Sequence, residues 1–395
     1  MRPIRSAARA VLASVILAAS VTGCQSADEQ QPTGEILIAA DLELSGAAAS
    51  AGQAYQRALE LKVEQINQSG VLGGQTIRLE VKDNRSDPNE SLRNIGDFTA
   101  NPAVQAIIIG NCADCAIKAA TTIADKRVPT IALAAAGAVA NPVTERRYLF
   151  KLAPNAADNA AALVAELERR PGIRSVGLLH TNDKYGLEGA AVIAGELSKT
   201  EIELIRTQRI KVTDSDAQQS VRDLVIAAPD ALVIWTSGEQ AISATVNARE
   251  AGYRGEIFLD AGAAGGLFLG SNVAKQTNGT TMVFTQTMVI DDVIATTPAK
   301  AARKQWFRDY TARYGNYNGS SSFAADAVQL IVDAALRARS TGDQVNRDGI
   351  RDVLETSQMD GLSGPIRMTP DNHSGLMPQA LTMLVARDGR WRLVS

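Results

Sequence analysis

Residues 35–74 read EILIAADLELSGAAASAGQAYQRALELKVEQINQSGVLGG, and this stretch decides the fold class. Glu35–Glu43 is rich in Ile, Leu and Ala, which is typical of a strand buried on both faces. Gln53–Gln68 predicts a helix, because its apolar residues fall mostly on one stripe: Ala54, Ala58, Leu61, Val63 and Ile66. A strand that leads into such a helix is the unit from which parallel sheets are built.

The same alternation continues along the chain to residue 285. Further strands are predicted at Thr76–Lys82, Val104–Gly110, Val128–Leu133, Ser175–His180, Leu204–Ile210, Ala231–Trp235, Glu256–Leu259 and Thr280–Thr285. The helices between them are predicted at Pro88–Phe98, Ala116–Lys126, Asp158–Arg169, Leu187–Lys199, Ala217–Ala227 and Glu239–Ala251. We therefore expect an α/β fold in which helices cover both faces of parallel sheets, with ligands bound beyond the carboxyl ends of the strands.

After residue 285 the pattern changes to longer helices. They are predicted at Ala299–Tyr314, Phe323–Arg339 and Arg347–Glu355. The last predicted element is a hairpin of Leu381–Arg387 and Arg390–Val394, joined at Asp388-Gly389, a pair that favours a tight turn.

The first 24 residues, MRPIRSAARAVLASVILAASVTGC, indicate export. Three Arg precede the apolar run Ala10–Ser20, which is too short to span a bilayer. Val21–Cys24 resembles a bacterial lipobox, so we expect residues 1–23 to be a signal peptide and Cys24 to carry lipid at the outer face of a membrane. A plain secretory signal with a chance Cys is the alternative. Residues 24–34 are polar and predict a short tether.

Charge and length narrow the class of protein. The chain has 40 Lys and Arg against 43 Asp and Glu, a net charge of −3, which becomes −6 without the three Arg of the leader. No basic block is present, which argues against nucleic acid or anionic lipid as the ligand. The chain after the leader is longer than one core usually holds, so we expect two lobes, in a monomer.

Two cysteines remain after Cys24. Cys112 and Cys115 form a C-x-x-C pair in an oxidising compartment, which favours a disulfide. A redox-active thiol pair is the alternative, because a strand-to-helix C-x-x-C lowers a thiol pKa. Zinc is disfavoured because the chain has neither a second C-x-x-C nor a His pair.

Several short motifs follow one another in a recognisable order. They are Leu44-Ser45-Gly46, Ile66–Gly74, Asp83-Asn84 with Asp87-Pro88, Val128–Ile131, Asp183–Gly186, Phe323–Ala327 and Gly361–Ile366. In this order the chain resembles a type I periplasmic binding protein, in particular the branched-chain amino-acid group of ABC-transporter substrate-binding lipoproteins. The resemblance covers residues 35–395.

The resemblance implies two Rossmann-like lobes joined by three hinge crossovers. The first lobe would comprise 35–152 with 287–357, and the second 153–286 with 358–395. The crossings would lie near Pro154, Gln286 and Gly361–Pro365. Binding proteins of this type close around a ligand as two hinged jaws.

In the first lobe, loops after strands supply the candidate site residues. Ser45 offers a hydroxyl after the first strand, although an ordinary polar turn is the alternative. Asn111, Cys112 and Asp114 precede a helix; Asp114 either caps that helix or pairs with a cationic ligand group. The loop after the fourth strand has Ala134, Ala135 and Ala136 where relatives usually offer a hydroxyl to the ligand. This difference puts in doubt that the ligand is an ordinary branched-chain amino acid.

In the second lobe, Tyr185 matches the family's cleft tyrosine, and a packed helix-start aromatic is the alternative. Trp235 and Thr236 end a strand where relatives place an aromatic, although Trp235 is also consistent with core packing. Asp260 lies near where relatives carry an acid for the ligand's ammonium group, but the match is offset by two residues and Gly262 takes the expected position.

Together these features predict an extracytoplasmic lipoprotein that captures a small polar solute, such as an amino acid or amide, and delivers it to an ABC permease. We expect no enzymatic activity, metal or cofactor, because the sequence has no Walker loop, no G-x-G-x-x-G after its first strand and no G-x-S-x-G. Two alternatives remain: a ligand sensor of the same fold, and a thiol–disulfide protein that uses Cys112 and Cys115.

Overall fold

The computed structural model describes residues 34–214, 216–267, 269–340 and 345–394. The predicted signal peptide, the predicted lipid site Cys24 and all but the last residue of the predicted tether lie outside these ranges. Among the described residues, no helix has both the length and the apolar character needed to cross a membrane.

The first sheet is built from residues 35–151. Its strands are β1 (Glu35–Leu42), β2 (Thr76–Asp83), β3 (Val104–Ile109), β4 (Thr130–Ala132) and β5 (Leu149–Lys151), with helices α1 (Ala49–Ser69), α2 (Pro88–Ala100) and α3 (Ala113–Asp125) between the first four. In the described chain these five strands lie in the order β2-β1-β3-β4-β5 and all pair in parallel.

Both faces of this sheet are buried, as the apolar composition of β1 requires. Successive side chains of a strand point to opposite faces. Ile36 and Ile38 accordingly join a core that contains residues of α1, whereas Leu37 and Ala39 join a second core with α2 and α3.

The second sheet takes most of the remaining strands. The elements that follow β5 along the chain, whichever sheet they belong to, are α4 (Ala156–Arg169), β6 (Ser175–Thr181), α5 (Lys184–Leu197), β7 (Glu203–Ile210), α6 (Gln218–Ile226), β8 (Ala231–Trp235), α7 (Gly238–Glu250), β9 (Glu256–Leu259), α8 (Ala274–Thr277), β10 (Thr281–Thr285), α9 (Pro298–Tyr314), α10 (Ser321–Ser340), α11 (Arg347–Leu354), β11 (Gln358–Asp360), β12 (Pro365–Arg367), β13 (Leu381–Arg387) and β14 (Arg390–Leu393). The sheet order in the described ranges is β14-β13-β10-β9-β8-β6-β7. Only the pairings that involve β13 are antiparallel within this sheet as described.

The α/β class with parallel sheets flanked by helices is therefore confirmed. The predicted hairpin is also present, and both turn residues have the positive φ that a tight turn needs: 51° at Asp388 and 73° at Gly389. The first helix begins at Ala49, four residues earlier than expected. The three-residue strands β5, β11 and β12 were not predicted, because so short a segment carries no periodic pattern.

The chain passes between the two sheets after β5, after β10 and after α11. After β10 it returns to the first sheet, where α10 packs against α1. The first passage follows a buried lysine, the last residue of β5: the Lys151 ammonium donates to the Ala153 carbonyl at 3.0 Å, and burial lowers the pKa of Lys151 to about 7.

The third passage is tied to α10 by one carboxylate. Asp326 is fully buried; its Oδ1 accepts from the Leu362 N–H at 2.7 Å, and its Oδ2 accepts from the N–H and the hydroxyl of Ser363 at 2.7 and 2.6 Å. Burial raises the pKa of Asp326 above its ordinary value, and these hydrogen bonds oppose that rise. Two of the motifs singled out in the sequence, Phe323–Ala327 and Gly361–Ile366, thus meet in space.

Replacement of this carboxylate tests how far the third passage depends on it. We expect Asp326→Ala to destabilise the protein by about 3 kcal/mol, because it leaves three donors without an acceptor in a buried place. The measurement is the free energy of unfolding in urea. Asp371→Ala, at an exposed position nearby in sequence, is the control and should change stability by no more than about 0.5 kcal/mol. Equal effects of the two substitutions would contradict the assigned role.

Candidate functional site

A cavity of about 810 Å³ lies between the carboxyl ends of the two sheets. This is where ligands bind in open parallel sheets. The first sheet contributes the loops after β1 to β5, and the second contributes the loops after β6 to β9. From these loops the lining includes Gly46, Arg85, Asn111, Asp114, Ala135, Pro154, Asp183, Tyr185, Thr213, Glu239 and Gly262.

The loops after β1 and β2 hold each other. The Ser45 hydroxyl donates to Asp83 Oδ2 at 2.6 Å, and the Ser86 hydroxyl donates to the Ser45 carbonyl at 3.0 Å. Gly46 has φ 83°, and a Cβ there would lie 2.4 Å from the Arg85 carbonyl oxygen. The Ser45 hydroxyl, predicted to face a ligand, donates to Asp83 in this structure, and Ser45 is not among the residues that line the cavity.

The loop after β3 supplies three predicted residues, Asn111, Cys112 and Asp114, and all three line the cavity. The structure joins Cys112 and Cys115 in a disulfide, and Cys112 occupies the N-cap of α3. Asp114 is not the cap. Its Oδ2 accepts from the Lys184 N–H, at the start of α5, at 3.2 Å, so this acid joins the two sides of the cavity.

Glu43, just after β1, was missed in the sequence. It is fully buried behind the loop after β3, and its carboxylate accepts from the backbone N–H groups of Asn111 at 3.2 Å and Cys112 at 3.1 Å. Burial, with the nearby charge of Asp41, raises the pKa of Glu43 to about 7. Glu43 was assigned to the end of the first predicted strand, but no local pattern marks its side chain as buried.

The loop after β4 contributes less than predicted. Ala135 lines the cavity, but Ala134 and Ala136 are fully buried and do not line it. Alternate residues of an extended segment point in opposite directions, which separates them. Beyond this loop, the Gly137 N–H donates to Glu188 Oε1 of α5 at 2.7 Å. This is a second contact between the two sides.

Tyr185 lines the cavity, and its hydroxyl donates to Asp260 Oδ2. Asp260 itself is fully buried behind the tyrosine; Oδ2 also accepts from the Gly262 N–H at 2.8 Å, and Oδ1 has no partner among the described residues. Burial raises the pKa of Asp260 to about 7. A Cβ at Gly262 would lie 2.0 Å from the Tyr185 hydroxyl oxygen. The cavity wall therefore presents the tyrosine and not the predicted acid.

Trp235 and Thr236, the other predicted residues of the second lobe, lie away from the cavity surface. Both side chains are fully buried and neither lines the cavity. The Trp235 ring lies in the core formed with α4 and α5, with its centroid 6.0 Å from that of Tyr185. Core packing, the alternative weighed for Trp235, is what the structure contains.

Other lining residues were missed because they come from distant elements. They include the buried apolar side chains of Tyr55, Leu133, Phe284, Phe323 and Trp391, together with the polar Asn318 and Ser320. The rings of Phe284 and Phe323 meet edge to face at 5.7 Å. The aromatic in the Phe323–Ala327 motif was the one signal of this group in the sequence.

The cavity is apolar inside and charged near its opening. The buried residues of the lining are mainly aliphatic and aromatic, whereas Arg85 and Glu239 are exposed. Asp183 is the N-cap of α5, and its carboxylate accepts a hydrogen bond from the Gly186 N–H at 3.0 Å. The arrangement can enclose a molecule with an apolar body and a few polar groups.

Two further groups of reactive side chains are a possible metal-ligand cluster and the two histidines of the chain. Glu43, Cys112 and Cys115 bring possible ligand atoms within 4.8 Å of one another, but the disulfide engages both sulfurs. His180 and His373 do not line the cavity, and His373 stacks on Phe150 with ring centroids 4.2 Å apart.

Comparisons with known proteins agree with this geometry. A family model described as a periplasmic binding protein matches residues 35–390. An extracellular ligand-binding receptor from Rhodopseudomonas palustris HaA2 is 23% identical, with a TM-score of 0.81 and coverage of 91% of this chain and 99% of that one. The leucine binding protein LivK of Thermotoga maritima MSB8 is 18% identical, with a TM-score of 0.78 and coverage of 91% and 98%. A solute binding protein of an R. palustris ABC transporter, solved with benzoate, is 18% identical, with a TM-score of 0.79 and coverage of 92% and 96%.

The raised pKa of Asp260 has a measurable consequence. Between about pH 4 and 7 the folded chain holds a proton on Asp260 that the unfolded chain has lost, so this group makes stability fall as pH rises through that range. Asp260→Asn removes the effect. We expect the stability of Asp260→Asn relative to the natural protein to increase by at least about 1 kcal/mol between pH 5 and pH 8, measured by urea unfolding.

Asp230→Asn is the matched control for this experiment. Backbone N–H donation from Arg174 and the hydrogen bonds of Ser175 lower the pKa of Asp230, so this group is ionised in both states above pH 5. Its stability difference from the natural protein should not change between pH 5 and pH 8. A similarly constant difference for Asp260→Asn would contradict the assignment.

Proposed function

This chain belongs to the type I periplasmic binding protein family, and from that membership we propose that it captures a small solute between two lobes and delivers it to an ABC-transporter permease. The observation that carries the proposal is the cavity between the facing carboxyl ends of two parallel sheets. The proposed capture involves recognition and closure, without a covalent change in the solute.

We propose that the lobes have the bounds expected from the sequence, 35–152 with 287–357 and 153–286 with 358–395. Packing of α10 on α1, beside the first sheet, supports the assignment of 287–357 to the first lobe. The hydrogen bonds that the Leu362 and Ser363 N–H groups donate to Asp326 support a third crossing in the region of Gly361–Pro365.

Contacts across the cavity support closure as the mechanism. An acid on each side accepts from a backbone N–H of the other: Asp114 from Lys184, and Glu188 from Gly137. The Gly137 N–H begins a short 3₁₀ helix and the Lys184 N–H begins α5, where backbone donors have no partner within their own helix. We propose that these two contacts form when the lobes close and separate when they open.

The proposed solute is a small polar molecule, such as an amino acid, an amide or a related compound, that also carries an apolar group. Phe284, Phe323 and Trp391 would contact the apolar part, and Asn111 and Ser320 are placed among the lining residues to bond the polar part. Asp114 remains a candidate partner for an amine. Asp260 is not proposed for that role, since Tyr185 stands in front of it.

The family supports a location outside the cytoplasm. We propose in addition that Cys24 carries a lipid that holds the protein at the outer face of a membrane, beside its permease. The proposal depends on the sequence Val21-Thr22-Gly23-Cys24, which lies outside the described residues.

A ligand screen tests the proposed function. The full-length protein is heated in the presence of leucine, other amino acids, amides, benzoate and 3,4-dihydroxybenzoate. A compound present at 100 times its Kd should stabilise the fold by about 2.7 kcal/mol and raise the melting temperature visibly. Phe323→Ala, in the cavity wall, should abolish or weaken the shift, whereas Phe307→Ala, outside the lining, should retain it. A flat response to every class of compound would count against solute capture.

The closure contacts can be tested separately with a compound found by the screen. We expect Glu188→Gln to weaken its binding about tenfold, because the substitution removes a charged acceptor from the closed form only. Glu196→Gln, further along α5, pairs with Lys199 on the surface and is the control. The measurement is isothermal titration calorimetry. Unchanged affinity for Glu188→Gln would show that this contact does not stabilise the closed form.

A further inference from the structure

The wall of the cavity contains a disulfide whose two sulfurs differ in exposure. Cys112 is half-buried and lines the cavity, whereas Cys115 is fully buried behind it. Of the two cysteines, only Cys112 therefore contacts the space that an entering molecule would occupy. This asymmetry is what ordered thiol–disulfide exchange requires, because one sulfur must be attacked and the other must leave.

A buried carboxyl group stands next to both sulfurs. A carboxylate oxygen of Glu43 and the two Sγ atoms all lie within 4.8 Å of one another. The position of the carboxyl is fixed by the N–H groups of Asn111 and Cys112, which donate to it at 3.2 and 3.1 Å. A Cβ at Gly110 would lie 1.9 Å from Glu43 Oε2, so this side chain needs a glycine beside it.

The surroundings of Glu43 suit it to proton transfer at neutral pH. Burial and the charge of Asp41 raise its pKa to about 7, near the pH at which a group both takes and gives a proton readily. Besides the loop after β3, the groups that face it are Asp41 on its own strand, Asn84 after β2, whose amide lies 3.4 Å from Oε1, and Tyr55 of α1.

The sequence position of Cys112 stabilises the charged form of its sulfur. Cys112 is the N-cap of α3, a helix of 13 residues, and its sulfur accepts from the Cys115 N–H at 3.1 Å. A negative charge at a helix N-terminus is favoured, and such cysteines have lowered thiol pKa values.

We propose that the Cys112–Cys115 disulfide is a redox site that exchanges with small thiols entering the cavity, with Glu43 as the group that handles the proton of Cys115. The proposal needs the cavity to admit small molecules, but it does not depend on the identity of the transported solute or on a permease.

In the proposed exchange, the small thiol is the reductant and the protein disulfide is the oxidant. The thiolate of a small thiol attacks Sγ of Cys112, a new S–S bond forms, and the bond between Cys112 and Cys115 breaks. The electron pair goes to Sγ of Cys115, which takes a proton from the Glu43 carboxyl. A second thiolate then attacks the small-thiol sulfur of the mixed disulfide, the electron pair returns to Cys112, and solvent replaces the protons. Two small thiols are oxidised to one disulfide, and the protein gains two thiols.

The first experiment measures reduction of the folded protein. The full-length protein with Cys24→Ser, in which Cys112 and Cys115 are the two cysteines, is treated with cysteine at neutral pH, and free thiols are alkylated at intervals. The alkylated product is counted by intact mass spectrometry, while circular dichroism follows the fold. We expect both thiols to appear with the fold retained, and Glu43→Gln to slow their appearance at least tenfold. Asp41→Asn, which removes a buried carboxyl outside the sulfur cluster, should slow it much less. A disulfide that resists reduction until the protein unfolds would show that it only braces the loop, and would overturn the proposal.

Two cysteine variants keep the test decisive if Glu43→Gln fails to fold. With cystine as the probe and Cys24→Ser as the background, Cys115→Ser should form a mixed disulfide at Cys112 and release one cysteine. Cys112→Ser should react at least tenfold more slowly, because Cys115 is buried. Equal reactivity of the two folded variants would contradict the assigned order of attack. Both results are independent of the ligand screen, so the failure of one proposal does not imply the failure of the other.

Discussion

Parallel pairing of the strands is the constraint on which the site depends. A parallel strand can be reached only through a crossover connection, so all carboxyl ends of such a sheet lie at one edge and their loops collect there. In this protein the two edges face each other across the cavity, and loops that are far apart in the sequence become neighbours. Neither sheet encloses the cavity by itself. The position of each sheet therefore matters as much as the residues on its loops, and the buried carboxylate of Asp326 ties the third passage to α10.

Much of the fold could be predicted because its determinants are local. The apolar run at the start of β1 and the stripe on α1 each specify one element, and their alternation implies parallel pairing. The final turn was readable for the same reason, since Asp388 and Gly389 tolerate the φ values that the hairpin needs. The short strand β5 depends instead on pairing with β4, a neighbour that no pattern within three residues records.

The site was predicted at the level of loops and only partly at the level of side chains. Which way a residue at the end of a strand points is decided by packing. Trp235 turns into the core because Gly189 of α5 leaves room for it: a Cβ at that glycine would lie 2.2 Å from Trp235 Nε1. Asp260 was placed in the right region, but its pairing with Tyr185 depends on a contact between residues 75 positions apart. Glu43 escaped notice because a buried acid has no pattern that distinguishes it from a surface one.

The span of the cavity wall has a consequence for the folding of the protein. Its lining runs from Gly46, after the first strand, to Trp391, in the last strand of the second sheet. No early folding unit contains the complete pocket, so a chain that is still partly unfolded after export has nothing with which to hold the solute. A ligand of this cavity would bind only the finished molecule and stabilise that state alone. Solute binding would then act as a check on complete folding, sensitive to a defect at either end of the described chain.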